Sequence, residues 1–74
     1  ITIPGHTAGS IGILTNEGEF FCGDLLVNRG KPSFNRLIDD WSAARDSLLK
    51  LRGLGIGTVY PGHGQPFDLG QFGE

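Results

Sequence analysis

The sequence contains one cysteine, no methionine and only two histidines. The single cysteine, Cys22, cannot form an intramolecular disulfide, and a free thiol is typical of a reducing compartment. The net charge is −2 and no basic run is present, so electrostatics give no basis for binding nucleic acid or an anionic membrane. No apolar run approaches the ~20 residues of a membrane span, and no signal-peptide pattern is present. These absences favour a cytoplasmic protein without nucleic-acid or membrane partners.

The length of 74 residues allows one small domain at most. In this size range a hydrophobic core alone rarely supplies more than ~3–5 kcal/mol of stability. The chain also begins with Ile1 rather than methionine. We therefore expect residues 1–74 to form a single partial domain that belongs to a larger protein, or that gains stability as a homodimer or larger assembly.

Short apolar segments predict β-strands over 1–3, 10–15 and 19–22, and the turn formers of 16–18 join the last two. In the third strand Phe20 and Phe21 face opposite sides, which predicts burial on both faces of the sheet. The polar segment 27–36 predicts a loop, and 57–60 predicts a further short strand. The tail over 65–74 has little periodicity, and we interpret it as a loop or frayed terminus.

A helix is predicted between the loop and the last strand. Its apolar residues recur at spacings of four, three, four and three, the pattern of an amphipathic helix: Leu37, Trp41, Ala44, Leu48 and Leu51. Asp39 or Asp40 suits the beginning of the helix and Gly53 its end. Trp41 is interpreted as an anchor of the hydrophobic core. The predicted order is β-β-β-loop-α-β.

Three candidate metal ligands follow predicted strands at glycine-containing turns. His6 follows Pro4-Gly5, Asp24 follows Gly23, and His63 follows Pro61-Gly62. Imidazole and carboxylate are ligands of zinc, iron and manganese alike. Each residue alone has an ordinary explanation as a hydrogen-bonded turn residue. Their shared position at strand ends, where α/β folds collect ligands, favours a metal site.

Three other residues, Cys22, Arg29 and Lys31, are interpreted as lying outside the metal site. Cys22 is two residues from Asp24 on the same face and is a possible ligand, but a buried apolar cysteine is the commoner state. Arg29 and Lys31 lie in the predicted loop as solvated charges, with contact to a substrate as the alternative. The glycine patterns of phosphate-binding and dinucleotide-binding loops are absent, which excludes those two motifs.

Three segments together carry a family resemblance. They are Pro4-Gly5-His6-Thr7-Ala8-Gly9-Ser10, Phe21-Cys22-Gly23-Asp24 and Val59-Tyr60-Pro61-Gly62-His63-Gly64. In this order they resemble the C-terminal half of the metallo-β-lactamase superfamily, and most closely the branch with glyoxalase II-like thioesterases. The resemblance implies an α/β (α+β) fold, the C-terminal half of an αββα sandwich. It also implies a site for two zinc ions, with iron or manganese as alternatives.

The resemblance assigns a role to each candidate ligand. His6 would bind the first metal, His63 the second, and Asp24 would bridge both as the catalytic carboxylate. The implied activity is hydrolysis of an ester, thioester or lactam through a metal-bound hydroxide. Two alternatives are a non-catalytic structural or self-associating module and an iron-dependent member that handles oxygen or sulfur.

The family's His-x-His-x-Asp-His segment is absent from these residues. Residues 1–74 alone therefore supply only part of the implied ligand set, and we expect them to be metal-poor and inactive. The sheet face that would pack on the missing half of the sandwich should be apolar and exposed. Such a face favours self-association.

Overall fold

The computed structural model describes residues 1–72, which form two small β-sheets and one α-helix. The strands, in chain order, are β1 (Ile13–Leu14), β2 (Glu19–Gly23), β3 (Leu26–Asn28), β4 (Pro32–Phe34), β5 (Thr58–Pro61) and β6 (Phe67–Asp68). Helix α1 (Trp41–Arg52) lies between β4 and β5, and a 3₁₀ turn (Leu69–Gln71) follows β6. Near the N-terminus, Thr2 and Ile11 form only an isolated antiparallel bridge.

The larger sheet has the strand order β1-β2-β5-β6. Its central pair, β2 and β5, is parallel, and the outer pairs are antiparallel. The parallel pairing matches Phe20 with Val59 and, after a register shift, Gly23 with Pro61. The carboxyl ends of β2 and β5 therefore meet at one edge of the sheet. This edge is where Asp24 and His63 emerge.

The residues that cap helix α1 lie where the sequence predicts them, but the helix does not extend back to Leu37. Asp40 is the N-cap and its carboxylate accepts a 3.0 Å hydrogen bond from the Ala43 amide, while Gly53 closes the helix. The buried face consists of Ala44, Ser47, Leu48 and Leu51. Leu37 lies outside the helix and is 73% exposed, so its inclusion in the apolar stripe was wrong.

The hydrophobic core lies between α1, one face of the larger sheet and the β3–β4 pair. Its fully buried members include Ile3, Phe20, Leu25, Leu26, Leu51 and Val59. The opposite sheet face is open, and Phe21 is 43% exposed there. The prediction of burial on both faces was therefore wrong for Phe21, because among residues 1–72 only one sheet face is packed against helix and loops.

The predicted loop over 27–36 contains an antiparallel hairpin of β3 and β4. Pairing aligns Leu26 with Phe34, and both side chains are buried. The turn formers around Gly30 make the hairpin's tip rather than a long connection. The local polarity hid this hairpin, because its stability comes from burying the strand ends against the core.

The predicted unstructured tail also contains structure as far as residue 72. Strand β6 pairs with β5, and Phe67, Leu69 and Phe72 are buried. Gly73 and Glu74, the end of that predicted segment, lie outside the described residues.

Trp41 is less buried than predicted. It is 44% exposed at the start of α1 and is not the core anchor that its spacing predicted.

The architecture is thus α+β, as predicted, with three more strands than expected after the first hairpin. Within residues 1–72, no helix combines the length and the apolar character that crossing a membrane requires.

Candidate metal centre

The carboxylate of Asp24 lies between the two imidazole rings. Its Oδ2 is 3.9 Å from Nε2 of His6, and its Oδ1 is 3.7 Å from Nε2 of His63. The three side chains remain accessible, with His6 24%, Asp24 49% and His63 56% exposed. The structure therefore brings together all three residues that the sequence suggested as ligands.

The distances from Asp24 to the two imidazoles indicate whether each pair forms a hydrogen bond or could share a metal ion. Both exceed the 2.7–3.2 Å of an ordinary hydrogen bond. Two ligand atoms bound tetrahedrally to one zinc ion, at about 2.0–2.2 Å each, lie about 3.4 Å apart. The observed distances are a few tenths of an ångström wider than that value. Each carboxylate oxygen of Asp24 thus faces one imidazole nitrogen at a spacing that suits an ion between them.

These contacts form two pairs that share one carboxylate. Among residues 1–72, no group of three or more histidine, cysteine, aspartate and glutamate side chains is arranged to hold a single ion. An ion placed at either pair would receive one imidazole nitrogen and one carboxylate oxygen from this part of the chain. The assignment of His6, Asp24 and His63 as metal ligands stays a prediction.

The pairing of β2 with β5 positions Asp24 beside the His63 turn. The Gly62 amide donates a 2.7 Å hydrogen bond to the carbonyl oxygen of Gly23, which joins the two turns. A Cβ atom on residue 62 would stand 2.6 Å from Oδ1 of Asp24. Only glycine at this position leaves room for the carboxylate to face His63.

Asn28 of β3 holds the other side of the same turn. Its amide donates a 2.9 Å hydrogen bond to the His63 carbonyl oxygen, and its side-chain nitrogen donates to the carbonyl of Gln65 at 3.0 Å. Sequence reasoning missed this role, because Asn28 stood in a polar segment that predicted a loop. No local sequence signal identifies it.

Helix α1 positions His6 through the backbone that precedes it. The Asp40 amide donates to the Gly5 carbonyl at 3.0 Å, and the buried hydroxyl of Ser47 donates to the Pro4 carbonyl at 2.7 Å. The His6 ring is oriented by its own contact, 2.7 Å from Nδ1 to the carbonyl oxygen of Leu37. Neither Ser47 nor Leu37 was suggested by the sequence for this purpose.

The contact with Leu37 also determines the His6 tautomer. A carbonyl oxygen only accepts hydrogen bonds, so Nδ1 of His6 carries the proton. In the neutral ring the lone pair is then on Nε2, the nitrogen that faces Asp24. Metal-binding histidines are commonly oriented in this way, with the other ring nitrogen donating to a carbonyl.

Cys22 does not join the site. Its side chain is 1% exposed in the core, and burial raises the pKa of its thiol to about 11. Its sulfur lies within weak hydrogen-bond distance of the carbonyl oxygens of Leu26 and Tyr60, at 3.9 and 3.8 Å. This agrees with the structural interpretation of Cys22.

Comparison with known proteins identifies the class to which this fold and site belong. The family model of the Metallo-beta-lactamase superfamily matches residues 1–63. The match covers most of the chain and includes all three candidate ligands. The chain therefore belongs to the metallo-β-lactamase superfamily, which confirms the resemblance inferred from the three motifs.

Two curated relatives carry the name beta-lactamase-like protein 2 homolog. The one from Caenorhabditis elegans is 36% identical over 69 residues, which are 92% of this chain and 22% of that protein. The one from Drosophila melanogaster is 31% identical over 65 residues, which are 88% of this chain and 21% of that protein. The chain spans about a fifth of the length of these relatives.

Proposed function

We propose that the protein containing residues 1–74 is a metal-dependent hydrolase that acts on an ester, thioester or lactam. The observation that supports this most is the position of Asp24, whose two carboxylate oxygens face the imidazoles of His6 and His63 at 3.9 and 3.7 Å. In a member of the metallo-β-lactamase superfamily, this arrangement fits a site for two metal ions that share the carboxylate of Asp24.

The donor set fits zinc, and mixed nitrogen and carboxylate ligation also suits iron or manganese. His6 would hold one ion and His63 the other, with Asp24 between them. When bound, two such ions lower the pKa of water and neutralise the negative charge that develops on a substrate during hydrolysis.

In this proposal the residues of this chain position the metal ligands and do not themselves transfer protons. The carbonyl of Leu37 keeps the Nε2 lone pair of His6 directed at Asp24. The close approach of Gly62 fixes the carboxylate against the His63 turn. Such restraint matters because metal ligands must be preorganised within a fraction of an ångström to hold a reactive site.

Residues 1–74 alone should not hydrolyse substrates. Catalytic zinc normally has three protein ligands, whereas each ion here would have one nitrogen and one oxygen. We propose that the remaining ligands come from other parts of the longer protein.

The longer protein tests the proposal. Metal content would be measured by mass spectrometry, and hydrolysis would be assayed with thioester, ester and lactam substrates before and after chelation. We expect bound metal, activity lost on chelation and activity restored by zinc. Asp24→Asn should lower metal affinity and activity at least about 100-fold, since even residues that only orient metal ligands account for 10–100-fold.

Asp39→Asn is the matched control, because it removes an exposed carboxylate elsewhere and should leave both quantities unchanged. Wild-type metal content and activity in Asp24→Asn would overturn the proposal. A wild-type protein without bound metal and without activity on any of the substrates would also overturn it, in favour of the non-catalytic alternative.

A further inference from the structure

A groove of about 520 Å³ opens between the β3–β4 hairpin, the first turns of α1 and the 3₁₀ turn. Its lining includes three aromatic side chains, two basic ones and one amide: Phe34, Trp41 and Phe72, Lys31 and Arg45, and Gln71. None of the three candidate metal ligands is among the lining residues. The volume lies within the range of about 300–1,000 Å³ that is usual for small-molecule sites.

Three aromatic rings form the apolar part of the groove. Phe34 is at their centre, edge-on to Trp41 with ring centroids 5.6 Å apart and edge-on to Phe72 at 5.3 Å. These perpendicular contacts hold the rings in place. Trp41 is nevertheless 44% exposed, so part of its ring surface is free to cover a ligand.

Two cations flank these rings. Lys31 lies near the tip of the hairpin, and Arg45 is one helical turn beyond Trp41 on α1. Among residues 1–72 neither side chain forms an ion pair, since both ion-pair contacts there involve Asp24. Within the described part of the chain, residues 1–72, no aspartate or glutamate lines the groove. Positive charge is therefore concentrated at an aromatic groove on a chain whose net charge is −2.

We propose that this groove binds a small organic anion with a flat apolar body. The body would lie against Trp41, Phe34 and Phe72, and the anionic group would be held by Lys31 and Arg45. A guanidinium pairs well with a planar carboxylate because it donates two parallel hydrogen bonds. The proposal is independent of the hydrolase assignment.

The test uses 2-naphthoate as the probe and 2-naphthylmethanol as its neutral counterpart. Binding to the longer protein that contains this chain would be followed by calorimetry and by the indole N–H resonance of Trp41. We expect one site for naphthoate, a shift of the Trp41 resonance on binding, and affinity at least about tenfold weaker for the neutral compound. The affinity for naphthoate should fall as salt is added.

Arg45→Gln and Lys31→Gln should each weaken naphthoate binding about tenfold without changing the affinity for the neutral compound. Arg29→Gln is the matched control, because Arg29 is an exposed arginine of the same hairpin that does not line the groove. All three changes are at exposed positions, and an unchanged circular dichroism spectrum verifies folding. Equal affinity for the anion and the alcohol, no Trp41 shift, or full binding by a double Lys31→Gln/Arg45→Gln variant would overturn the proposal.

Discussion

Ser47, on the buried face of α1, donates a hydrogen bond of 2.7 Å to the carbonyl oxygen of Pro4, which precedes it by 43 residues. The helix thereby anchors the turn that carries His6. Ser47 is 2% exposed, so its hydroxyl is shielded from water and this bond is its partner in the core. A helix that the sequence indicated only as a source of apolar contacts therefore also positions a candidate ligand.

Ser47→Ala should lower the free energy of unfolding by about 0.5–1.5 kcal/mol, because the half-buried Pro4 carbonyl loses its hydrogen-bond partner. Ser42→Ala is the matched control at an exposed position of the same helix. Both changes gain the same small helix propensity, so the difference between them isolates the hydrogen bond. Urea unfolding measures both variants. Equal stability of the two would show that the Ser47 contact contributes nothing.

Gly5→Ala should destabilise the turn that carries His6, because this turn packs closely against helix α1. A Cβ on residue 5 would stand 2.7 Å from the Cα and Cβ atoms of Ala44, and Gly5 has a φ of 152° that other residues rarely adopt. Overpacking of this kind costs about 1–3 kcal/mol and should displace His6 from Asp24.

Gly9→Ala provides the control for this change, since nothing lies within 4 Å of the Cβ that it would add. Thermal unfolding of both variants gives the comparison, and the metal affinity of the longer protein reports on His6. A Gly5→Ala variant as stable as Gly9→Ala, with normal metal affinity, would contradict the proposed close contact.

The sequence predicted the candidate site better than the fold around it. The convergence of Asp24 and His63 follows from two glycine-containing turns at the ends of neighbouring parallel strands, and local patterns reveal such turns. The hairpin of β3 and β4 was missed because its strands are three residues each and gain stability from core contacts of Leu26 and Phe34. Such tertiary contacts leave no periodic signal.

Helix α1 shows a second limit of pattern reasoning. Leu37 continues the apolar spacing backwards, yet the helix begins after Asp40 because that carboxylate caps the amide of Ala43. A capping residue therefore outweighs one additional match to the period. The contact of Leu37 with His6 is made by its backbone carbonyl, which no side-chain pattern can predict.

Tyr60 should ionise above its usual pKa near 10. Its hydroxyl donates to Oε2 of Glu19 at 3.2 Å, and this hydrogen bond, followed by the negative charge of Glu19, raises the pKa of the phenol. Because the pKa is raised in the folded state, the stabilisation is complete below the unfolded value and is lost as pH rises through the folded value.

The chain has a single tyrosine, so absorbance at the phenolate band follows Tyr60 alone. Glu19→Gln should move the ionisation midpoint back toward the usual value. Glu17→Gln, at an exposed turn position without contact to Tyr60, should leave it in place. A midpoint that does not respond to Glu19→Gln would show that the hydrogen bond does not control this ionisation.

The open face of the larger sheet should cause residues 1–74 to self-associate when they are produced alone. Ile13, Phe21 and Tyr60 are aligned across β1, β2 and β5, and Phe21 stacks on Tyr60 with ring centroids 4.9 Å apart. Ile11 and Ile13 are 64% and 62% exposed. An apolar row of this kind is typical of a surface that another element covers.

Light scattering after size exclusion measures the association. We expect a mass above the 7.9 kDa of one chain, rising with concentration. An Ile13→Thr/Phe21→Ser variant should shift the population toward the monomer, because it removes two members of the row. Leu49→Ser removes an equally exposed apolar side chain from the outer face of α1 and should leave the mass unchanged. A wild-type chain that stays monomeric at every concentration would contradict the prediction, since the exposed row would then have no affinity for itself.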